Sequence, residues 1–309
     1  MAELLYKKGE LEARLESSHS IVHHDLLFFH SNEFIKRNKD SNPLFFNLYV
    51  EEKNLASIVF EEIEGIAISL PRSPFGGLII GDIIDQETLE EFHNYIIAYL
   101  KDKNCPVEIR LAPTIYSSDE PNYLDARLEI IYIENNQHIP IDRIKFSDKL
   151  NRNRKRKLEL NIHQGYKFKR LEIEQLDQAY ELIRECRIDK GYPVTMSIDA
   201  LKKTFTSFPD RYLLFGVFDG SELIATAVSI RVSESTLYNF YHGDRLSYRG
   251  SGPVTLLVAG IYEYCQEHGI EILDLGISSQ HGKLNEGLFY FKRSCGAVSS
   301  DKISYQLKA

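Results

Sequence analysis

Asp274–Ala297 reads DLGISSQHGKLNEGLFYFKRSCGA, and the fold turns on it. Leu273, Leu275 and Ile277 alternate with Asp274, Gly276 and Ser278, the two-residue period of a β-strand. A polar loop follows. Asn285 then stands where a side-chain oxygen can accept from a free amide of a first helical turn. Leu288, Phe291 and Cys295 fall on one helical face, and Lys292 and Arg293 occupy the last turns, where the helix dipole favours cations. Gly296 ends the helix. A strand end leading through a loop into a helix is where open α/β sheets place their sites.

Upstream the pattern is regular. Tyr166–Glu172 reads as a strand, and Gln175–Lys190 and Ser197–Phe208 as helices. Arg211–Phe218 and Glu222–Val232 read as strands around the Asp219-Gly220 hairpin signal, and Thr236–His242 as a third strand. Gly252–His268 reads as a helix, and a last strand pair runs through Ser304–Leu307. This order resembles the acyltransferase fold of the GNAT superfamily. The wording NEGLFYFKRSCGA, with YNFYHGDR at Tyr238–Arg245, is similar to that of the Fem-type aminoacyl and peptidyl transferases, in which a Phe-Lys pair precedes a helix-ending Gly. Here these are Phe291-Lys292 and Gly296.

The 309-residue chain suffices for one large domain or two ordinary ones, and 43% hydrophobic with 27% charged residues is a globular composition. No apolar run has the length of a membrane span, and the first residues lack the basic-then-apolar pattern of a secretion signal. Cys105, Cys186, Cys265 and Cys295 are far apart and form no CxxC, which predicts small buried thiols in a cytoplasmic protein. Net charge is −8, but Lys149–Arg170 holds nine Lys or Arg against one acid. A local basic stripe on an acidic chain predicts one phosphate-bearing partner, for which tRNA is a candidate.

In the first half, Leu4–Leu15 reads as a short charged helix. His19 and His23 have the i, i+4 spacing of a helical metal pair but no third ligand, so no metal site is expected. Phe45–Val50, Ala56–Phe60, Gly65–Leu70 and Gly77–Ile80 read as strands. The Pro71–Gly77 connection, PRSPFGG, reads as a shaped loop, so Arg72, Ser73 and Phe75 are candidate substrate contacts. Its Ser-Pro and Gly-Gly wording also fits the first half of Fem-type proteins. Gln86–Leu100 reads as a helix, Val107–Leu111 as a strand and Asn122–Ile130 as a helix. HNYIIAYLKDKNCPVEIRL then answers AGIYEYCQEHGIEILDLGI, with Tyr99 matching Tyr264 and Asn122 matching Asn285.

The expected fold is therefore α/β with mixed sheets, in two tandem GNAT-like lobes. Residues 1–145 and 166–309 form the lobes, joined at 146–165 by a basic helix capped by Ser147 and stopped by Gly165. An Arg/Lys-rich helix followed by Gly at this place is also what the Fem-type resemblance implies.

No Ser-His-Asp or Cys-His pattern appears, which points to direct attack by a bound amine rather than a covalent enzyme intermediate. In acetyltransferases of this superfamily the helix matching Asn285–Cys295 often carries a Tyr acting as acid toward the thiolate. Here the Tyr is Tyr290, and the matching position is Lys292, a cation suited to stabilising an oxyanion at the rim of the site. His242 and Asp274 are the candidate bases. The resemblance implies that a CoA pyrophosphate would be taken between a strand and a helix, where this chain has Ser247-Tyr248-Arg249-Gly250-Ser251-Gly252-Pro253, with Arg249, Gly250, Ser251 and Gly252 as candidate contacts. Tyr241, Ser278, Asn285 and Phe291 are candidate substrate contacts.

The reading is an acyl or aminoacyl transferase using acyl-CoA or aminoacyl-tRNA and a small-molecule or peptide amine. The rivals are an ordinary CoA-dependent N-acetyltransferase and a non-catalytic nucleotide- or RNA-binding protein.

Overall fold

The computed structural model describes residues 3–21, 26–37, 41–103, 105–116 and 128–307. The chain forms two compact units. One contains residues 1–135, 279–283 and 300–309, and the other 136–278 and 284–299.

In the first unit, β1 (Glu3–Lys8), β2 (Leu11–Glu16), β3 (Leu44–Val50), β4 (Lys53–Ile63) and β5 (Ile66–Ser69) pair antiparallel in that order. A short α1 (Asn32–Ile35) precedes β3, and β6 (Leu78–Ile80) pairs with β4. Asp85 caps α2 (Gln86–Asp102), which returns the chain so that β7 (Val107–Arg110) lies parallel to β5. The C-terminal strand β16 (Val298–Leu307) pairs antiparallel with β7. Phe46, Ile58, Phe92, Ile96 and Ile109 fill the core between sheet and α2.

Leu4–Leu15 is a hairpin and not a helix. Gly9 adopts φ +62°, which L side chains resist, and the two-residue turn at Gly9-Glu10 pairs Lys8 with Leu11. The helix expected over Asn122–Ile130 falls largely outside the described residues. Its last residues instead open β8 (Glu129–Pro140), whose first part belongs to this unit and whose remainder belongs to the second.

In the second unit the sheet order is β8, β13, β12, β11, β10, β9. The strands are β9 (Lys167–Leu171), β10 (Tyr212–Asp219), β11 (Glu222–Arg231), β12 (Thr236–Asp244) and β13 (Ile272–Ile277). The helices are α3 (Phe146–Lys149), α4 (Arg152–His163), α5 (Leu176–Asp189), α6 (Ile198–Ser207), α7 (Pro253–Glu267) and α8 (Glu286–Ser294). Between β13 and α8, in residues 279–283 that count with the first unit, the chain makes the two-residue strands β14 (Ser279–Gln280) and β15 (Lys283–Leu284) around a His281-Gly282 turn, both at positive φ. β9 to β12 pair antiparallel, and β12 and β13 are parallel across α7.

The two units share a motif. The series β3, β4, β5, α2, β7 has the order and pairing sense of β10, β11, β12, α7, β13. The match reaches the side chains. Tyr99 of α2 stands edge-on to Phe46 of β3 with centroids 5.4 Å apart, and Tyr264 of α7 to Phe215 of β10 at 5.1 Å. The fold is thus α/β with mixed sheets, as the sequence implied. Each unit takes strand residues from the other half of the chain: most of β16 belongs to the first, and the latter part of β8 to the second.

The basic segment expected as a connector lies wholly in the second unit. It is also broken. Residues 146–149 form the separate turn α3, and the cap of α4 is Asn151, whose oxygen accepts from Arg154 N at 3.0 Å, not Ser147.

Gly260 of α7 faces β9, where a Cβ would come 2.2 Å from Phe168 Cγ. Helix propensity alone would make Gly260→Ala stabilising by about 1 kcal/mol. The clash predicts the opposite sign, a loss of about 3 kcal/mol, read as a lowered urea midpoint at unchanged slope.

Candidate active site

The site begins where two parallel strands part. β12 and β13 are joined at Thr236–Ile272, Leu237–Leu273 and Tyr238–Asp274, and no ladder pair continues beyond. Both strands are bulged there. Across β11, Ser229 pairs with Asn239 and Val228 with Tyr241, leaving Phe240 extra. Across β8, Asp274 pairs with His138 and Ile277 with Asn136, so Leu275 and Gly276 stand against one residue. Gly276 takes φ +75°, and a Cβ there would meet the Tyr238 ring at 3.2 Å. The alternation of polar and apolar positions along this strand does not alternate exposure: Asp274 and Ser278 are each 1% exposed. A central strand covered on both faces buries both sets.

The kink at Gly276 is held by two buried charges of opposite sign. Asp274 Oδ1 accepts from Gly276 N at 2.8 Å and from Asn136 Nδ2 at 2.9 Å. From α8, Lys292 Nζ donates to the carbonyls of Gly276 and Ile277, both at 2.8 Å. Lys292 is 3% exposed, so the cation expected at the rim lies inside. Burial pulls its pKa down to about 7, and the Asp274 carboxylate opposes the shift. Asn285 positions this helix as the sequence implied, accepting from Leu288 N at 3.0 Å, and Cys295 and Gly296 (φ +84°) close it.

His242, on β12, is held neutral. Burial, then Lys190, Lys292 and Arg187, push its pKa down to about 3, so it is a far weaker base than a free imidazole. Lys292, Asp274 and His242 thus share one electrostatic neighbourhood without forming a proton relay. Tyr238, beside Asp274, and His138, across the ladder from it, were not legible as site residues. Burial raises the pKa of the first and lowers that of the second, so both are neutral at physiological pH. Asn136 was also missed. Its signal was the polar run Asn135-Asn136-Gln137 inside a β-branched strand, where a buried amide needs a partner.

The expected substrate contacts divide. Tyr241 is buried, its hydroxyl against Thr195. Ser278 Oγ donates to Gln137 Oε1 at 2.6 Å. Asn285 Nδ2 donates to the Tyr192 hydroxyl at 2.8 Å, which ties the α5–α6 loop to the start of α8. Phe291 is half-buried under the Arg154 guanidinium, 4.6 Å from the ring centroid.

In the first unit, Arg72 pairs with Glu61 at 2.8 Å, and Ser73 Oγ bonds the Leu70 carbonyl at 2.8 Å. Phe75 is core, 2% exposed among Phe29, His30 and Tyr116, because the loop's glycines let its backbone fold inward. His19 pairs with the His30 carbonyl at 2.8 Å, and His23 lies outside the described residues. Among the described residues no cluster of His, Cys, Asp or Glu could hold a metal. No helix among them is long and apolar enough to cross a membrane.

The loop before α7 does not fit a phosphate cradle in this conformation. The amides of Arg249, Ser251 and Gly252 bond inward to the carbonyls of Leu246 and Tyr248. Arg249 is held by Asp189 at 2.6 Å and Asp244 at 3.5 Å. From α4, Lys157 bonds the Gly250 carbonyl and Asn161 the Ser251 carbonyl, the latter at 2.9 Å. Gly252 takes φ +72° and leads into Pro253 at the first turn.

A second polar feature lies alongside. An open groove of about 830 Å³ runs between α4 and α8, lined by Arg154, Arg156, Lys157, Leu160, Tyr290 and Phe291 among others. Arg156 has no acidic partner among the described residues, and Tyr290 is 63% exposed.

Residues 145–293 match the family model described as an acetyltransferase (GNAT) domain. FemX is similar in structure, with TM-score 0.64 and 15% identity, over 95% of this chain and 94% of that one. So is L-PGS from Bacillus licheniformis, with TM-score 0.58 and 14% identity over 82% and 81%. The C-terminal domain of a putative lysylphosphatidylglycerol synthetase from Agrobacterium fabrum gives TM-score 0.55 and 13% identity over 82% and 81%. No curated protein matches.

The buried lysine has a thermodynamic signature. Its folded pKa of about 7 lies below the usual lysine value of 10.5. Between these values the unfolded chain binds the extra proton, so the Lys292 contribution to stability rises with pH across that window and is lost as pH falls toward 7. Urea unfolding at pH 7, 8 and 9 should show a positive slope in wild type minus Lys292→Met. Parallel pH curves would mean that Lys292 keeps an ordinary pKa.

Proposed function

We propose that this chain, whose residues 145–293 match an acetyltransferase (GNAT) domain, is a Fem-like transferase that moves an acyl or aminoacyl group from a phosphate-bearing carrier onto an amine by direct attack, in the second unit. The observation that carries this reading is the buried Lys292 ammonium at the end of β13, just past the point where β13 parts from β12. Two of its three N–H bonds go to the Gly276 and Ile277 carbonyls, which fix its direction. No third acceptor is found among the described residues, which leaves one N–H for an oxygen gaining charge.

In the proposed reaction the acceptor nitrogen attacks the carrier's carbonyl, and the tetrahedral oxyanion is met by Lys292. The carrier's bond to carbon then breaks. The nitrogen proton can pass to the departing oxygen or sulfur, so no strong protein base is needed. This agrees with a neutral His242 and with an Asp274 committed to backbone.

For the carrier, the groove between α4 and α8 supports aminoacyl-tRNA. Arg156 and Arg154 offer phosphate contacts, and Tyr290 offers an exposed ring on which a base can stack. FemX and the phosphatidylglycerol synthetases lend this reading only their fold. The second reading, acyl-CoA, is favoured by the acetyltransferase family match and by the Gly252-Pro253 helix start, and is opposed by the inward-bonded loop. The acceptor is proposed to be a small molecule or peptide carrying a primary amine.

Calorimetric titration with CoA and with aminoacylated tRNA separates the carriers. The expected result is tRNA binding that weakens in Arg154→Gln/Arg156→Gln, with the difference shrinking as salt rises. Tight CoA binding with no tRNA signal would replace the first reading with the second. Lys292→Met should lower turnover by roughly 100-fold or more, the scale for one preorganised donor, with a smaller change in KM. Wild-type turnover in that variant would remove Lys292 from the chemistry.

A further inference from the structure

Asp274 has the look of a base, but its surroundings assign it another task. Its Oδ1 is already shared between the Gly276 amide and the Asn136 side chain, and the group is 1% exposed. The same glycine presents its carbonyl to Lys292 Nζ. One peptide unit on each side of Gly276 is thus held by one member of a buried acid–base pair. We propose that Asp274 is a positioning residue, whose carboxylate fixes the Gly276 kink from the amide side and supplies the negative charge that keeps Lys292 an ammonium where its carbonyl contacts hold it. This rests on the reading of Lys292 as the oxyanion donor.

The charges around Lys292 single out Asp274. On β12, Tyr238 and His242 are neutral at physiological pH, and so is His138 on β8. Arg187 of α5 and Lys190 just past its end are cations near His242, and Arg293 follows Lys292 on α8. Asp244 is occupied by Arg249 at 3.5 Å and Lys190 at 3.9 Å. Asp274 is the carboxylate whose charge bears on Lys292, and it opposes the effect of burial. An ammonium buried this deeply would otherwise shed its proton more readily, and a neutral amine is a poor oxyanion donor.

The step needs no proton movement through Asp274. That makes it distinguishable from a base, which must exchange a proton with the acceptor in each turnover.

Asp274→Asn tests this, because asparagine can still accept from Gly276 N while the charge is gone. The Lys292 titration is read directly by NMR of the ε-13C-lysine protein, so this readout needs no activity. The expected result is a fall of the Lys292 pKa by about one unit or more, with the alkaline limb of the kcat profile moving acidward by the same amount and KM nearly constant. Asp274→Glu keeps the charge but displaces it. It should keep the Lys292 pKa near the wild-type value while losing kcat through a disturbed kink.

An unchanged Lys292 titration in Asp274→Asn overturns the proposal. So does loss of activity at every pH in that variant without a shift in Lys292, the behaviour of a base. If Lys292→Met retains full turnover, the functional reading falls, but the NMR titration still decides whether Asp274 governs the Lys292 charge.

Discussion

Everything at the proposed centre depends on a left-handed glycine pinned from both sides. Gly276 puts an extra residue into β13, and that bulge gives two successive carbonyls a common direction toward α8. A single buried ammonium can then satisfy both. Without the kink, neighbouring carbonyls on a strand point to opposite sides, and Lys292 could reach only one. The arrangement is self-consistent: the bulge creates the acceptors, the ammonium compensates them, and Asp274 compensates both the ammonium's charge and the Gly276 amide.

This arrangement is held against a real penalty. Moving the Lys292 pKa from 10.5 to about 7 corresponds to roughly 5 kcal/mol of disfavoured charging. That figure is net of whatever the two carbonyls and the Asp274 carboxylate return to the charged form. A buried cation is weak evidence of stability for its own sake, since an apolar side chain of similar shape would fill the space at less expense. What a methionine could not supply is a directed N–H in a dry setting, and such donors gain most in strength when water is excluded.

Much of the architecture was legible because it rests on short-range chemistry. The Asp219-Gly220 turn fixed a hairpin, Asn285 fixed a helix start, and the answering Tyr99 and Tyr264 stand alike against Phe46 and Phe215. Failures came where a pattern has two readings. Leu4–Leu15 has enough charge and leucine for a helix, but a positive-φ glycine at its centre decides for a turn. Residues 129–140 hid a strand because their polar run, Asn135-Asn136-Gln137, is buried by partners distant in sequence. The lobe boundaries could not be read for the same reason. That β16 and part of β8 leave their own halves of the chain is a fact of pairing, and pairing leaves no local mark.

At the site, the sequence identified the residue type and misjudged its setting. A lysine in the last turn of a short helix is ordinarily a surface group stabilised by the dipole. Here α8 shows only half-buried apolar side chains, while Lys292 is its one buried residue among those described. The apolar face of the helix packs at its margin and the charge goes in at the centre, the reverse of normal partition. A protein gains nothing in folding from that inversion. The Gly276 bulge, the Asn285 cap and the Asp274 carboxylate all support it, and each belongs to the stretch Asp274–Ala297. Positions adjacent in one short segment of chain can therefore build the donor, its orientation and its charge balance with little help from elsewhere. Asn136, from a distant strand, is the exception, and it acts by holding Asp274.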